Sequence, residues 1–378
     1  MEEERQEQDF EREENERLMA AFERFDSLYN KSKEPDRRFM PEQKPQLSQN
    51  TDFEEDEYEF IVDRYIDLFN DPMARLASQM GFEAYPYSSA MLVKYCDSLI
   101  VGREFGRTLM ILDKYKDSFP PNADIYLSYS RVYIGMKDLG NARRYYNLAI
   151  QAESTPEEVC DSVHTLAQDC IDIEDYKEAL FYLDRAAELT ATWNRKHNQT
   201  EKSENLASYY FDYAFCTEKL GNDEKALEIY QKCLDIDPFN DFVWHNIGMI
   251  YVRKNLYRKA YEAYDYAVAL NPQNTSALFN LGHLCIECNM YDQALHNFEE
   301  CCKIEKDNPD SITALALAYF LKGDLNQAEI LYRKALIFCP DHEGAKAGLK
   351  DVQAEKQLRS KIGMHTGKEN LKTDNTDE

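Results

Sequence analysis

An all-α, right-handed superhelical solenoid of about eight antiparallel helix pairs with a C-terminal capping helix is the fold this sequence predicts, on three observations. Helix breakers are scarce, with 13 Gly and 12 Pro among 378 residues, whereas Tyr reaches 26 and charged residues 30%. A pattern of small and large residues recurs every 34 residues over most of the chain. Its apolar positions follow the i, i+3, i+7 spacing of one helix face, so a unit buries that face only by stacking on its neighbour.

Taken in order, residues 1–30 read as an acidic helix with a narrow apolar stripe of Phe10, Leu18, Phe22, Phe25 and Tyr29. Such a helix has three fates: to fray in solvent, to cap the first repeat, or to fold back on the polar linker 31–54 and compete for a groove as a tethered ligand. Two degenerate units follow at 55–88 (Tyr58, Ile61, Tyr65, Ala74, Pro86) and 89–122 (Leu92, Cys96, Leu112, Pro120). Units 123–156 and 160–193 are clearer and close an N-terminal half, 55–193. A polar insert, 194–206, precedes the C-terminal half, 207–342, where units 207–240, 241–274, 275–308 and 309–342 run without a slip. Residues 343–361 are expected to form the capping helix, with Ala345, Leu349 and Val352 on one face, and 362–378 a disordered polar tail.

The repeat has a packing cause. Two helices crossing closely need a residue with almost no side chain at the contact. Ala74, Ala142, Ala179, Ala226, Ala260, Ala294 and Ala328 hold that place, position 20 of the unit, while large side chains at positions 4, 7, 11 and 24 fill the space around it. Pro238, Pro272 and Pro340 stop the second helix of their units.

From Asp241 onward, Trp244, Ile247, Gly248, Tyr251, Ala260, Tyr264, Ala267 and Pro272 stand at positions 4, 7, 8, 11, 20, 24, 27 and 32. This resembles the tetratricopeptide repeat. The chain as a whole most resembles cytoplasmic tetratricopeptide repeat proteins of bacteria related to Bacteroides, down to the acidic lead-in Phe53-Glu-Glu-Asp-Glu-Tyr-Glu-Phe60. The resemblance implies a scaffold that binds a protein or peptide in a concave groove lined by first-helix side chains. Those positions hold Phe211, Phe215, Phe242, His245, Asn246, Met249, Phe279, Asn280, His283, Leu317 and Phe320. Asn246 and Asn280 fall at position 6 of consecutive units, where an amide both donates to and accepts from a peptide backbone. Members that clamp a chaperone's C-terminal carboxylate need Lys or Arg at positions 2 and 5. Here Phe242, His245, Ser276, Phe279, Asp310 and Thr313 stand there, which disfavours that partner.

Composition narrows the remaining classes. With 44 Lys and Arg against 70 Asp and Glu, the net charge of −26 repels nucleic acid and anionic membranes. No apolar run is long enough to span a bilayer and the N-terminus lacks a signal peptide's pattern, so a cytoplasmic location is expected. No nucleophile elbow, phosphate loop or paired metal-binding His occurs, and neither an enzyme nor a cofactor is expected. The alternative function is a metal- or thiol-redox-responsive regulator built on Cys285, Cys288, Cys301 and Cys302, although Cys285 and Cys301 occupy core positions. In the first half, Asp56, Glu59, Asp63, Asp67, Asp97, Asp161 and Asp172 form either a solvated acidic face or a surface that steers a basic partner.

Overall fold

The computed structural model describes residues 2–29, 53–152, 156–197 and 203–373. Among the described residues there are 18 α-helices and no strand. Two compact bodies divide the chain at Thr200 and Glu201.

The first body holds α1 (Glu2–Tyr29) and four helix pairs: α2 (Glu55–Asp67) with α3 (Asp71–Ala84), α4 (Ser89–Val101) with α5 (Phe105–Tyr115), α6 (Ala123–Gly135) with α7 (Leu139–Ala152), and α8 (Pro156–Asp172) with α9 (Tyr176–His197). The second holds α10 (Ser203–Lys219) with α11 (Asp223–Ile236), α12 (Asp241–Arg253) with α13 (Tyr257–Leu270), α14 (Thr275–Glu287) with α15 (Tyr291–Ile304), α16 (Pro309–Lys322) with α17 (Leu325–Phe338), and α18 (Glu343–Thr373). Within each body the helices of a pair pack together, and successive pairs stack.

Every pair turns in the same way. Phe69, Arg103, Lys137, Glu174, Gly221, Asn255, Asn289 and Gly323, the residues at position 15 of the eight frames, all have positive φ. The N–H of the next residue then reaches back to the carbonyl five residues earlier, from Asn70 to Tyr65 through Asp324 to Tyr319, at 2.7–3.1 Å. This left-handed closure satisfies the last carbonyls of the first helix and reverses the chain. Position 34 repeats as well. There Ser88, Asn122, Asn240, Asn274 and Asn308 accept from the backbone N–H three residues on and cap the next first helix. His342 does the same for α18, its Nδ1 accepting from Ala345 N at 3.0 Å.

The core follows from one pairing of volumes. A Cβ on Gly248 would stand 2.5 Å from the Tyr264 ring, and one on Gly282 equally close to Phe298, so the ring at position 24 occupies the space left empty at position 8. In the first frame the sizes are exchanged, with Val62 at position 8 and Ser78 at position 24; in the second, Cys96 at position 8 stays smaller than Leu112 at position 24, and all four are buried.

One sequence expectation is decided among its alternatives and two are corrected. The apolar stripe of α1 neither frays nor reaches for a distant groove: Phe25 is fully buried among Phe53, Tyr58 and Tyr65, Tyr65 Oη donates to Asp26 at 2.8 Å, and Arg17 pairs with Glu54 at 2.8 Å. The helix caps the first pair; the side chain of Phe10 lies outside the described residues. Phe53, assigned to the polar linker 31–54, belongs to that core, with Arg24 over its ring. Finally, α18 continues to Thr373, past the expected 343–361 cap and into the expected tail. Its docked first turns, with Ala345 and Val352 buried and Lys356 paired to Glu329, nucleate a helix that then propagates.

Candidate functional site

The first helices of the second body carry a connected polar ladder. Glu218 on α10 is buried and accepts from Arg253 at 3.0 Å and from Tyr230 Oη at 3.0 Å. Tyr230 in turn accepts from Asn246 Nδ2 at 3.0 Å. Asn280 Nδ2 donates to His245 Nε2 at 2.8 Å, which places the ring proton on Nδ1, facing Asn246 Oδ1 at 3.3 Å. Burial pushes the His245 pKa down, so the ring is held neutral. The expected pair of exposed amides is therefore half-buried and tied to neighbouring repeats.

Three of the sequence-predicted residues, His245, Phe279 and Asn280, line one cavity of about 360 Å3 between α12, α14 and α16. The others lie elsewhere. Phe211 packs edge-on to Tyr230, Phe215 sits beneath Lys219, Met249 joins the core around Tyr264, and His283 stands edge-on to Phe279 and Phe298. Leu317 is half-buried, whereas Phe242 is 59% exposed.

The cavity also takes Thr275, Ser276, Glu305, Asn308, Asp310 and Ser311, which the reading by first-helix groove positions did not assign to a site. Glu305 accepts from Thr275 Oγ1 at 2.7 Å and from Asn308 Nδ2 at 2.5 Å, and Asp310 accepts from His342 Nε2 at 2.9 Å. The signal was present: Ser276 and Asp310 are the residues that replace the cations of a carboxylate clamp, and Glu305 at position 31 precedes the cap Asn308.

The cysteine alternative finds no geometry to support it. Cys285 and Cys301 are buried, Cys288 is exposed, and Cys301 Sγ donates to Thr275 O at 3.6 Å. Burial pushes the Cys285 thiol up to about 11 and Cys301 to about 12, so both stay protonated. Among the described residues no group of three or more His, Cys, Asp or Glu could hold a metal ion.

In the first body the acidic face is largely paired. Asp56 meets Arg17 and Asp63 meets Lys94 at 2.5 Å. Arg131 lies between Asp97 at 2.6 Å and Asp169 at 2.7 Å, joining α4, α6 and α8. The side chain of Asp161 lies outside the described residues, and Asp172 is exposed.

Residues 241–274 match one family model described as tetratricopeptide repeat, and 123–156, 207–240, 275–308 and 309–342 match another of the same description. These five segments are tetratricopeptide repeats. Three solved structures resemble the repeat array. The APC/C hetero-tetramer Cut9-Hcn1 is 18% identical with a TM-score of 0.45, covering 79% of this chain and 55% of that one. YrrB, described as a TPR protein with an unusual peptide-binding site, is 21% identical with a TM-score of 0.42, covering 54% and 97%. MamA from Desulfovibrio magneticus RS-1 is 18% identical with a TM-score of 0.39, covering 47% and 100%. The chain thus spans about half the length of the Cut9-Hcn1 chain, at 55%. No curated protein matches the sequence. None of the described helices is long and apolar enough to cross a membrane.

Proposed function

We propose that the chain is a non-enzymatic protein-interaction scaffold of eight repeats, which holds a peptide segment or helix of a cytoplasmic partner protein against α12, α14 and α16. The observation that carries the reading is the cavity shared by His245, Phe279 and Asn280, because it gives a side chain of the partner somewhere to go on a face whose own polar groups are already cross-braced. The eight-unit division is supported by the left-handed residue at position 15 of each frame, including the frames outside the five matched segments. No nucleic acid, membrane or cofactor enters this reading, and a chaperone's carboxylate tail is disfavoured by Ser276 and Asp310.

Ser276 lines the cavity and is exposed, so an extra side chain there fills the site without disturbing the core. Affinity capture with the full chain should recover a partner that Ser276→Arg loses while keeping wild-type circular dichroism. Equal recovery by the well-folded variant would move recognition to another face.

A further inference from the structure

The cavity differs in charge from a site built for a carboxylate. Two of the side chains lining it are acids, Glu305 and Asp310, and none is Lys or Arg. Its imidazole, His245, is held neutral by burial and by the hydrogen bond accepted at Nε2. His342, which touches Asp310, accepts at Nδ1 from Ala345 N and donates from Nε2. Among the described residues neither carboxylate is ion-paired with Lys or Arg. Asp310 is 71% exposed at its side chain, while Glu305 is steadied by Thr275 and Asn308. The Phe279 ring adds an aromatic wall, and Ser276 and Asn280 add acceptors.

We infer that this cavity takes the basic side chain, arginine or lysine, of the bound peptide; the inference rests on the peptide-binding reading above. Several N–H donors of a guanidinium can be met at once by the carboxylates, hydroxyls and amide oxygen, and its flat face suits an aromatic ring. The overall charge of −26 steers such a segment towards the protein.

The test selects a phage-displayed library of random peptides on the immobilised full chain, then measures the enriched sequences as synthetic peptides. The expected result is a shared Arg or Lys, with affinity that falls as salt rises. Replacing that residue by Ala, or the protein's Asp310→Asn, should weaken binding roughly tenfold or more, the scale of one charge-assisted hydrogen bond. Ser276→Lys, which brings a competing cation to the cavity, should have the same effect. Both substitutions fall at exposed positions, and Asp310→Asn keeps an acceptor for His342, so helical circular dichroism should not change. Enriched peptides without a shared basic residue, bound equally by wild type and Asp310→Asn, would overturn the inference and leave the peptide-binding reading standing. Failure of the wild-type chain to enrich any peptide would overturn both.

Discussion

The first unit of the first body and the units of the second body are built on one frame and solve its packing in opposite ways. In the second body, position 8 is emptied to Ala214, Gly248, Gly282 and Ala316 and position 24 is filled by Tyr230, Tyr264, Phe298 and Tyr332. In that first unit, Val62 swells position 8 and Ser78 shrinks position 24, whereas Ser130 with Tyr146 and Ala167 with Leu183 restore the small and large order later in the same body, whose stack gains other supports: an extra helix over its first pair and an ion triad through Arg131. A repeat can therefore lose its consensus and keep its fold, provided the summed volume at each crossing is kept and the end of the stack is covered.

The largest effect should come from the covering helix. Phe25→Ala removes a ring from a site with no solvent exposure and should destabilise the first body by about 4 kcal/mol in urea titrations. It should leave peptide affinity of the second body unchanged; a gain in affinity would restore the idea of a competing N-terminal segment. Arg131→Met comes next, at about 3 kcal/mol, the low end for breaking a buried ion set because Asp97 keeps 35% side-chain exposure. Adding Asp97→Leu and Asp169→Leu should recover most of that loss, and no recovery would mean that Arg131 acts by packing alone.

A smaller effect tests the exchange of volumes itself. Gly248→Val should cost about 2 kcal/mol by driving its Cβ and the methyls on it into the Tyr264 ring. Tyr264→Ser in the same chain, which reproduces the Val62 and Ser78 arrangement, should cost less than the two single losses added together. Strict additivity in that cycle would show that positions 8 and 24 do not share one space.

The smallest effect is a difference in pH response. Burial raises the carboxyl pKa of Asp97 and Asp169 above the unfolded value, although Arg131 opposes it, so folding of the first body takes up protons and that contribution grows as pH falls towards about 4. Burial lowers the His245 and His283 pKa below the unfolded value, so their contribution to the second body is full above about 6.5 and is lost as pH falls below it. Amide hydrogen exchange followed from pH 7 to 5, corrected for intrinsic rates, should show the second body weakening relative to the first. Parallel slopes would remove the distinction.

Much of the fold was legible in the residues because the repeat is a local signal: small residues at position 20, aromatic rings at 24 and prolines at 32 each report a helix pair before any contact is known. The left-handed turns were legible only in part. Gly221, Gly323, Asn255 and Asn289 advertise positive φ, but Phe69, Arg103, Lys137 and Glu174 do not, and they adopt it because the paired helices must close. The cavity was half legible. Position rules brought His245, Phe279 and Asn280 to one face, yet they omitted Glu305 and Asn308, which lie beyond the second helix and meet the cavity only when the next repeat stacks.

By itself, then, the sequence determined the helix pairs, their 34-residue register and the acidic balance, since propensity, spacing and charge are carried within one unit. Only the tertiary structure decided what α1 does, which acids are sheltered by Arg131, and that two asparagines expected to face a ligand are first of all bonded to Tyr230 and His245. Those outcomes depend on which side chains from different repeats arrive within hydrogen-bond reach, and stacking, rather than any single repeat, sets that distance.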